Sequence, residues 1–456
     1  MTRGGEDKMK RTTQDSEYDV ATRRFTRRDA LRGGAGALAA AAWSTAQATT
    51  TLRWWSTQSS PEQMAAYRYQ IKTFEEAHPG IKVVFEPISD EGYAAQLAAA
   101  FAGGNVPNVV THLPSFAVAD YWQAGLVEPI DPVFAAIGKD RFIDGANRIY
   151  ELESGVHAAA CIGNTAANML WLRTDMMAKA GIEQPPVTWD ELRSACSKMQ
   201  GSGIYGAPLP YARNSMTTLV IIGFIHQAGG QVFTPDLDVA LVSDEALAAL
   251  EFYKSMREFC PAGATGYSWG ESLTAFVGGA TATGLYSGRV LINATRQNPR
   301  IADHITCTTY PRISTDVEPW TYNDYPCVFI PADAPEKELT RKFAAWLFKT
   351  DGYIRQVNAT PGHVLPVIES VARDSRYLDN PVIRRYESEV STMSVAATEG
   401  KNLGWETSRH KPNTRAGAVI QSGVLAEMVQ RVALNDENPR KVLGDTARKI
   451  EAITKR

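Results

Sequence analysis

The 456-residue sequence has few cysteines and no excess of charge of one sign. Its 47 Lys and Arg residues are balanced by 50 Asp and Glu residues, which argues against a nucleic-acid-binding protein, since such proteins normally carry an excess of basic residues. The cysteines are scattered and form no C-x-x-C pair, so a disulfide-rich scaffold is excluded as well. We expect them to be buried small residues, with at most one or two disulfides among Cys161, Cys196, Cys260, Cys307 and Cys327.

The sequence also lacks the short motifs of common catalytic and metal-binding sites. It has no His-Glu-x-x-His, no His/Cys cluster at metal-ligand spacing, no Walker loop and no Gly-x-Ser-x-Gly. One Gly-x-Gly-x-x-Gly occurs at Gly201, Gly203 and Gly206, but it follows a predicted helix and continues into two prolines. A dinucleotide site needs a strand before this motif and a helix after it, so we interpret it as a loop. We therefore predict no catalytic residues, no cofactor and no metal site.

A long apolar segment lies close to the N-terminus. Residues 33–48 carry no charge, follow a basic run at 23–28 and end in Ala46-Gln47-Ala48, which is the pattern of a secretory signal peptide. The pair Arg27-Arg28 resembles that of a twin-arginine export signal. We therefore predict a twin-arginine-type signal peptide at 1–48. The mature protein would be periplasmic, without a lipid anchor because no cysteine lies near the cleavage point.

The rest of the chain alternates strand and helix signals, which predicts an α/β protein. Residues 51–55, 81–85 and 109–111 are short β-prone runs. Between them, Ser60-Pro61 and Tyr93 begin segments whose apolar residues recur at helical spacing. Strand–helix–strand repeats of this kind indicate a parallel sheet. The length suits two domains or one large domain with two lobes.

Several of the ten tryptophans lie beside small polar residues at predicted strand ends or in loops. An indole face fits the C–H face of a sugar ring, and polar neighbours can hydrogen-bond its hydroxyls. Ligands of open α/β sheets bind beyond the carboxyl ends of the strands, where Trp55 to Gln58 and His112 are predicted to lie. Each tryptophan alone is more simply explained by packing, but together they favour a sugar or polyol site.

Several short blocks also follow one another in a recognisable order: 74–83 (FEEAHPGIKV), 102–110 (AGGNVPNVV), 123–130 (QAGLVEPI), 185–192 (PPVTWDEL) and 275–279 (AFVGG). In this order they resemble the extracellular solute-binding proteins of ABC importers, the maltose-binding-like group that binds carbohydrates. Asn108 stands where that group often has Asp, and His112 stands where it often has Trp or another contact residue. Both positions are expected near the ligand, so the specificity of a known member is not carried over.

The resemblance implies an α/β periplasmic-binding-protein fold with two lobes, each a mostly parallel sheet flanked by helices, joined by hinge strands. By the chain order of the group, residues 49–163 and 323–367 form the N-terminal lobe, and residues 164–322 and 368–456 form the C-terminal lobe. The ligand would lie in the cleft between the lobes, which close on it. The closed form would then dock on the transmembrane subunits of an ABC permease. We expect a monomer with no nucleic-acid partner.

The predicted ligand-binding residues come from segments that this architecture places around the cleft. Their indole, phenol, imidazole, amide and hydroxyl groups suit a ligand rich in hydroxyls. A glycine allows close approach of the backbone, and an arginine can hold vicinal hydroxyls or an acidic group. The set consists of Trp55, Ser56, Thr57, Gln58, His112, Ser115, Asn164, Tyr211, Trp269, Tyr286, Gly288, Arg289, Tyr322, Asn323 and His363.

Two other functions stay open at this point. The same fold would suit an anionic ligand such as glycerol phosphate or a sugar acid, for which Arg289 is the relevant residue. A secreted glycoside hydrolase would also need stacking aromatics, together with two carboxylates that converge on one glycosidic bond. Spacing along the sequence cannot show that any two acidic residues face each other in this way. From the ordered blocks and the tryptophan-rich segments we expect a binding protein that captures a sugar, an oligosaccharide or a polyol and leaves it intact.

Overall fold

The structure is a computed structural model that describes residues 49–89, 92–409 and 411–455. The predicted signal peptide lies outside the described residues. The strands, in chain order, are β1 (Thr50–Ser56), β2 (Ile81–Pro87), β3 (Val109–Thr111), β4 (Glu151–Glu153), β5 (Val156–His157), β6 (Ala160–Cys161), β7 (Thr165–Ala166), β8 (Met169–Arg173), β9 (Thr283–Tyr286), β10 (Ile305–Thr308), β11 (Asn323–Asp324) and β12 (Cys327–Phe329).

Helices account for most of the regular structure. In chain order they are α1 (Pro61–Ala77), α2 (Tyr93–Ala102), α3 (Ser115–Gln123), α4 (Asp131–Ile137), α5 (Thr174–Lys179), α6 (Trp189–Met199), α7 (Ser215–Gln227), α8 (Asp244–Ser255), α9 (Trp269–Val277), α10 (Arg289–Gln297), α11 (Pro299–Ala302), α12 (Lys337–Trp346), α13 (Thr350–Ala359), α14 (Glu369–Ala372), α15 (Ser375–Leu378), α16 (Pro381–Arg385), α17 (Glu387–Glu399), α18 (Ala416–Ser422), α19 (Val424–Ala433) and α20 (Pro439–Thr454). Short 3₁₀ helices lie at Lys139–Arg141, Arg148–Tyr150, Met256–Phe259 and Ala262–Gly266.

The predicted starts of α1 and α6 are confirmed, and each has the hydrogen bonds of an N-terminal cap. Ser60 caps α1, because its hydroxyl accepts the N–H of Gln63 at 3.3 Å while the Gln63 amide oxygen accepts the N–H of Ser60 at 3.1 Å. Thr188 and Glu191 form the same reciprocal capping box at the start of α6. Such caps satisfy N–H groups that have no partner within the helix. The Gly-x-Gly-x-x-Gly segment is a loop, as predicted.

The first three strands of the chain belong to a five-stranded sheet with the order β2-β1-β3-β12-β6. β1 pairs in parallel with β2 and with β3, as the strand–helix–strand spacing predicts, since α1 and α2 return the chain between these strands. β12 and β6 are antiparallel to their neighbours. The carboxyl ends of β1 and β3 therefore lie side by side, with Ser56 level with Thr111.

A second sheet has the order β10-β8-β9 and is antiparallel throughout. The expectation of mostly parallel sheets thus holds for the first three strands of the five-stranded sheet and not for this one. Parallel pairing follows when a single crossover helix returns the chain. Five helices, α5 to α9, separate β8 from β9, so that connection leaves the direction of the next strand free.

Paired segments join the regions of the two sheets. β7 follows β6, and β11 precedes β12. β7 and β11 pair with each other in antiparallel orientation. Asn164 also forms an isolated bridge with Leu365. The two-lobed fold class is confirmed, and these paired segments run between its two main sheets.

Aromatic side chains hold the helices against the five-stranded sheet. Trp54 of β1 is fully buried, with its ring 4.6 Å from Tyr67 of α1 and 5.5 Å from Phe343 of α12. Its indole N–H donates to Thr111 Oγ1 at 3.0 Å, which satisfies the polar atom that burial would otherwise leave unpaired. The five cysteines are all buried free thiols, as expected for small core residues. None of the helices in the described ranges has both the length and the apolar character that crossing a bilayer requires.

Candidate functional site

The carboxyl ends of β1 and β3 bring three predicted site residues together. Ser56 Oγ lies 3.3 Å from His112 Nδ1, and the Thr57 hydroxyl donates to the His112 carbonyl at 2.8 Å. His112 adopts the left-handed backbone region, with φ of 62°, which is uncommon for a residue other than glycine. The hydrogen bond from Thr57 supports this conformation. The imidazole then points towards the helices that pack on the five-stranded sheet.

A buried chain of hydrogen bonds defines the state of the His112 ring. Gln70 of α1 donates its amide to Gln356 Oε1 at 3.3 Å, and the Gln356 amide nitrogen lies 3.3 Å from His112 Nε2. Burial lowers the pKa of His112 to about 3, so the ring is neutral at physiological pH. With Nε2 accepting from Gln356, Nδ1 carries the proton and donates to Ser56. The ring thus presents a fixed tautomer.

A second cluster joins the start of α10 to the end of β1. Arg289 Nη2 donates to Gln58 Oε1 at 3.0 Å and to His363 Nε2 at 3.0 Å. His363 Nδ1 lies 3.0 Å from Ser287 Oγ. A guanidinium has no acceptor, so His363 must accept at Nε2 and carry its proton at Nδ1. Four side chains from three distant segments of the chain therefore form one network.

The charge of this network is unbalanced. Burial, together with the positive charge of Arg289, holds the pKa of His363 well below its usual range. Both partners of the guanidinium are then neutral. Among the described residues, no carboxylate lies within ion-pair distance of Arg289. Other arginines, such as Arg53, Arg296, Arg376 and Arg385, do have a carboxylate partner. The guanidinium of Arg289 therefore carries a positive charge that no neighbouring described side chain neutralises.

Two backbone segments meet closely beside this cluster. A β-carbon placed on Gly288 would lie 1.9 Å from the carbonyl oxygen of Gly362, so only glycine fits there. On the surface nearby, Arg296 of α10 forms an ion pair with Glu62 of α1 at 2.8 Å. Helices that follow different sheets, α10 after β9 and α1 after β1, are therefore in direct contact.

An aromatic pair lies at the end of β9, just before the segment that carries Ser287 and Arg289. Trp269, at the start of α9, contacts Tyr286 at the end of β9 edge to face, with ring centroids 5.6 Å apart at 81°. The Trp269 indole N–H donates to Ser215 Oγ at 3.3 Å, which fixes the ring orientation. Tyr286 is buried and directly precedes the Ser287–Arg289 segment, so the aromatic pair and the guanidinium are carried by adjoining parts of the chain. Such a combination suits stacking on a sugar ring with hydrogen bonds to its hydroxyls.

Two predicted residues lie at the crossing segments. Ser115 Oγ accepts from the Asn402 amide at 3.0 Å, and the same amide donates to the carbonyl of Asn323 at 3.2 Å. Asn164 lines a cavity of about 60 Å³ together with Tyr325 and Trp405. Arg148 and Lys401 complete the polar wall of this cavity, each within 5 Å of the Trp405 ring.

Other predicted residues have their polar groups occupied within the fold. The Trp55 indole donates to Glu86, the hydroxyl of Tyr211 donates to the carbonyl of Tyr253 at 3.2 Å, and Tyr322 is fully buried. Asn323 is fully buried as well, with its amide shared between the N–H of Thr165 and the carbonyl of Ala397. The structure gives these four residues packing and positioning contacts, and their role as ligand contacts stays a prediction.

Asn108 requires a correction, because we expected it near the ligand. It lies at the amino end of β3, the end opposite His112, and it is buried. Its Oδ1 accepts the N–H of Arg53 at 2.8 Å, while its Nδ2 donates to Thr340 Oγ1 and to the carbonyl of Pro335, both at 2.8 Å. A carboxylate could not make the two donated bonds, which explains why Asn suits this position.

Four residues of the networks were absent from the sequence prediction, and one of them is Gln70 of α1. Ser287 precedes the predicted Gly288 and Arg289, and this adjacency was an available signal. Gln356 lies in the middle of α13, and Asn402 follows α17; neither has a local signal, because only the fold brings them to His112 and Ser115. Within the described residues, no group of three or more His, Cys, Asp and Glu side chains is arranged to hold a metal ion.

The chain matches the family model of the bacterial extracellular solute-binding proteins over residues 58–354, and it belongs to that family. It is 25% identical over 411 residues to the putative ABC transporter periplasmic-binding protein YcjN of Escherichia coli strain K12, covering 86% of this chain and 90% of that protein. An ABC transporter solute-binding protein from Thermotoga lettingae bound with α-D-tagatose has a similar structure, with a TM-score of 0.75 at 22% identity, over 89% of this chain and 100% of that one. A solute-binding protein of Agrobacterium radiobacter K84 in complex with ribitol gives 0.74 at 19% identity, over 89% and 98% of the two chains.

Proposed function

We propose that the protein binds a sugar, an oligosaccharide or a polyol between its two lobes and delivers it unchanged to an ABC permease. The observation that carries this proposal is the Arg289–Gln58–His363 network beside the Trp269–Tyr286 pair. It combines aromatic faces with fixed donors and acceptors, which is the chemistry that recognition of a hydroxyl-rich ring requires. The tagatose and ribitol complexes of the two structural relatives support the same class of ligand.

The division into lobes is part of this proposal. The strands of the five-stranded sheet all fall within 49–163 and 323–367, and those of the second sheet fall within 164–322. The contact between Gln58 and Arg289 then spans the cleft between the lobes. In this arrangement a ligand would complete or replace the direct contacts and shift the equilibrium towards the closed form.

Calorimetry with the purified protein tests the ligand class. The panel includes D-tagatose, ribitol, other monosaccharides and polyols, and disaccharides such as maltose, with tryptophan fluorescence as a second readout. We expect saturable binding to at least one neutral compound, and the bound compound to be recovered with unchanged mass after prolonged incubation, since we propose a binding protein and not an enzyme. If none of the neutral compounds binds, the proposal of a neutral sugar or polyol ligand is wrong. If a cleaved product appears, the protein is a hydrolase instead.

One observation favours a second candidate, an anionic ligand such as a sugar acid or glycerol phosphate. Arg289 has only neutral partners among the described residues. An acidic group on the ligand would supply the missing negative charge. The panel therefore includes glycerol 3-phosphate and a sugar acid. If Arg289→Gln weakens binding of the charged compounds far more than that of the neutral ones, the anionic version is the correct one.

We further propose export to the periplasm through the signal peptide at 1–48, as a monomer without a lipid anchor. The Arg27-Arg28 pair supports the twin-arginine route. Replacing both by lysine keeps the charge and removes the signal. We expect the variant to stay in the cytoplasm while the parent chain reaches the periplasm with residues 1–48 removed; equal export of the two chains would exclude this route.

A further inference from the structure

Two cysteines, Cys161 and Cys327, lie opposite each other on neighbouring antiparallel strands. Cys161 ends β6, Cys327 begins β12, and the two are register partners. One residue beyond each cysteine, the N–H of Ile162 donates to the carbonyl of Pro326 at 2.8 Å. This position of the hydrogen bond makes the cysteines a non-hydrogen-bonded pair. In such a pair the α-carbons are about 4.5 Å apart and the side chains share one face of the sheet.

This arrangement meets the main geometric condition for a disulfide. The α-carbons of disulfide-bonded cysteines are usually about 4.4–6.8 Å apart. Both side chains are fully buried and point their sulfurs at separate backbone carbonyls, Cys161 at Gly163 (3.0 Å) and Cys327 at Leu113 (3.7 Å). Rotation of each side chain, with an approach of the β-carbons by about 1 Å, would bring the sulfurs into bonding range.

The other cysteines lack such a constraint. Cys307 lies in β10, where its register partner is Trp171. Cys196 lies in α6 and Cys260 follows the 3₁₀ helix Met256–Phe259, so no strand pairing fixes their distance from another cysteine. Backbone pairing therefore singles out one pair among the five thiols.

We propose that Cys161 and Cys327 are a disulfide-forming site that fastens β6 to β12. The oxidant is another disulfide, either oxidised glutathione or the active-site disulfide of a thiol oxidoreductase. One cysteine attacks it to give a mixed disulfide, and the second cysteine displaces the remaining thiol. The two cysteines lose two electrons and two protons as the Sγ–Sγ bond forms, and the oxidant's S–S bond breaks to give two thiols.

The bridge would lie at the edge of the five-stranded sheet, next to the segment that crosses to the second sheet. β6 is the last strand in the order of its sheet and leads into the crossing strand β7. The loop closed by the bridge runs from 162 to 326 and contains all three strands of the second sheet. Long closed loops remove the most conformational freedom from the unfolded chain, so the bridge should favour the folded state.

Burial sets when the bridge can form. It raises the pKa of Cys161 to about 12, and it raises the pKa of Cys327 as well. The thiolate is the attacking species, so both groups react slowly in the folded protein. We therefore expect the bridge to form during folding in an oxidising medium, or through local opening of β6.

The test uses the full chain, unfolded in reductant and refolded in a buffer of oxidised and reduced glutathione. Remaining thiols are then blocked with iodoacetamide in denaturant, and the protein is analysed by intact mass and by a non-reducing peptide map. We expect three blocked thiols in place of the five of the reduced protein, a cross-linked peptide joining Cys161 to Cys327, and a melting temperature roughly 5 °C above that of the reduced form.

Variants separate this pair from the others. Cys327→Ser should abolish the cross-linked peptide, whereas the matched control Cys307→Ser should keep it. If Cys327→Ser does not fold, the peptide map of the parent chain decides the question. Five blocked thiols after refolding, a stable glutathione adduct, or a bridge between any other pair would overturn the proposal. None of these readouts involves a ligand, so the result is independent of the proposed transport function.

Discussion

Arg289 and Gln58 are 231 positions apart in the chain, and Arg289 Nη2 donates to Gln58 Oε1 at 3.0 Å. This contact joins the first turn of α10 to the residues that follow β1. His363 accepts from the same nitrogen, so one guanidinium organises three segments of the chain. The strength of ligand binding should therefore depend on this side chain more than on any other single residue of the cluster.

Replacing Arg289 by alanine should weaken binding of the ligand by about 10- to 100-fold. Hydrogen bonds to a charged group contribute about 1.5–3 kcal/mol each, and the variant also leaves Gln58 and His363 without their donor. Calorimetry on the parent chain and on the variant measures the change. Arg300→Ala, which removes an exposed arginine from α11, is the control and should leave affinity unchanged. Equal affinities of the Arg289 variant and the parent chain would contradict the role of this network.

Gly288→Ala should hinder the closed form that we propose for the ligand-bound protein. The new methyl group would lie 1.9 Å from the Gly362 carbonyl oxygen, which is backbone and cannot turn away. We expect at least a tenfold loss of affinity and a larger radius of gyration in small-angle scattering, with a stability loss of about 1–3 kcal/mol. Gly270→Ala is the matched control, because nothing lies within 4 Å of its added methyl. A Gly288 variant that binds and scatters like the control would show that this contact does not limit closure.

The ion pair between Glu62 and Arg296 should make a small, salt-dependent contribution. Its side chains are 36% and 53% exposed, and pairs of this kind contribute about 0–1 kcal/mol. Glu62→Gln should therefore weaken binding by less than about fivefold at low salt, and the difference should vanish at high salt because the charges are screened. Glu76→Gln is the control, since it removes a pair with Lys72 that lies within α1. A salt-independent loss would show that Glu62 acts by other means than charge.

His112 should make the protein less stable as the pH falls. Its folded pKa of about 3 lies below the ordinary value of 6.5, so between these values the unfolded chain binds a proton that the folded chain does not. The penalty begins as the pH falls through about 6.5 and reaches about 2 kcal/mol at pH 5. Urea unfolding of the parent chain and of His112→Asn, a residue that tolerates positive φ, measures this as a difference. The difference between the two unfolding free energies should change between pH 7 and pH 5; a constant difference would mean that His112 is not held neutral.

The local pattern of the sequence predicts the elements of the fold well. Alternation and caps give β1, α1, β2, α2 and β3 to within a few residues, because caps, strand runs and helix periodicity are all local properties. The ordered blocks add the two-lobed class, which no local pattern contains. The direction of β8, β9 and β10 was missed, since several helices separate two of these strands and their pairing depends on where the whole segment returns.

The candidate site divides in the same way. Residues at strand ends, such as Ser56 and His112, were predictable because parallel strands carry their carboxyl ends to one edge. Gln356 was not, because its place in α13 carries no sign that it donates to His112. Tyr211 shows what sequence cannot supply: its hydroxyl donates to the carbonyl of Tyr253, a partner that only the fold reveals, and its role as a ligand contact stays a prediction.

The sequence by itself determined the α/β elements, their caps, the aromatic and polar residues available for a ligand, and the family, because these depend on neighbouring residues and on their order. Tertiary structure alone decided which of these residues meet. It placed Arg289 against Gln58 and His363, and Cys161 opposite Cys327, because contacts between residues far apart in the chain depend on how strands pair and where segments cross. It also set the charge state of His112, since burial lowers the pKa of that ring well below the ordinary value of a histidine.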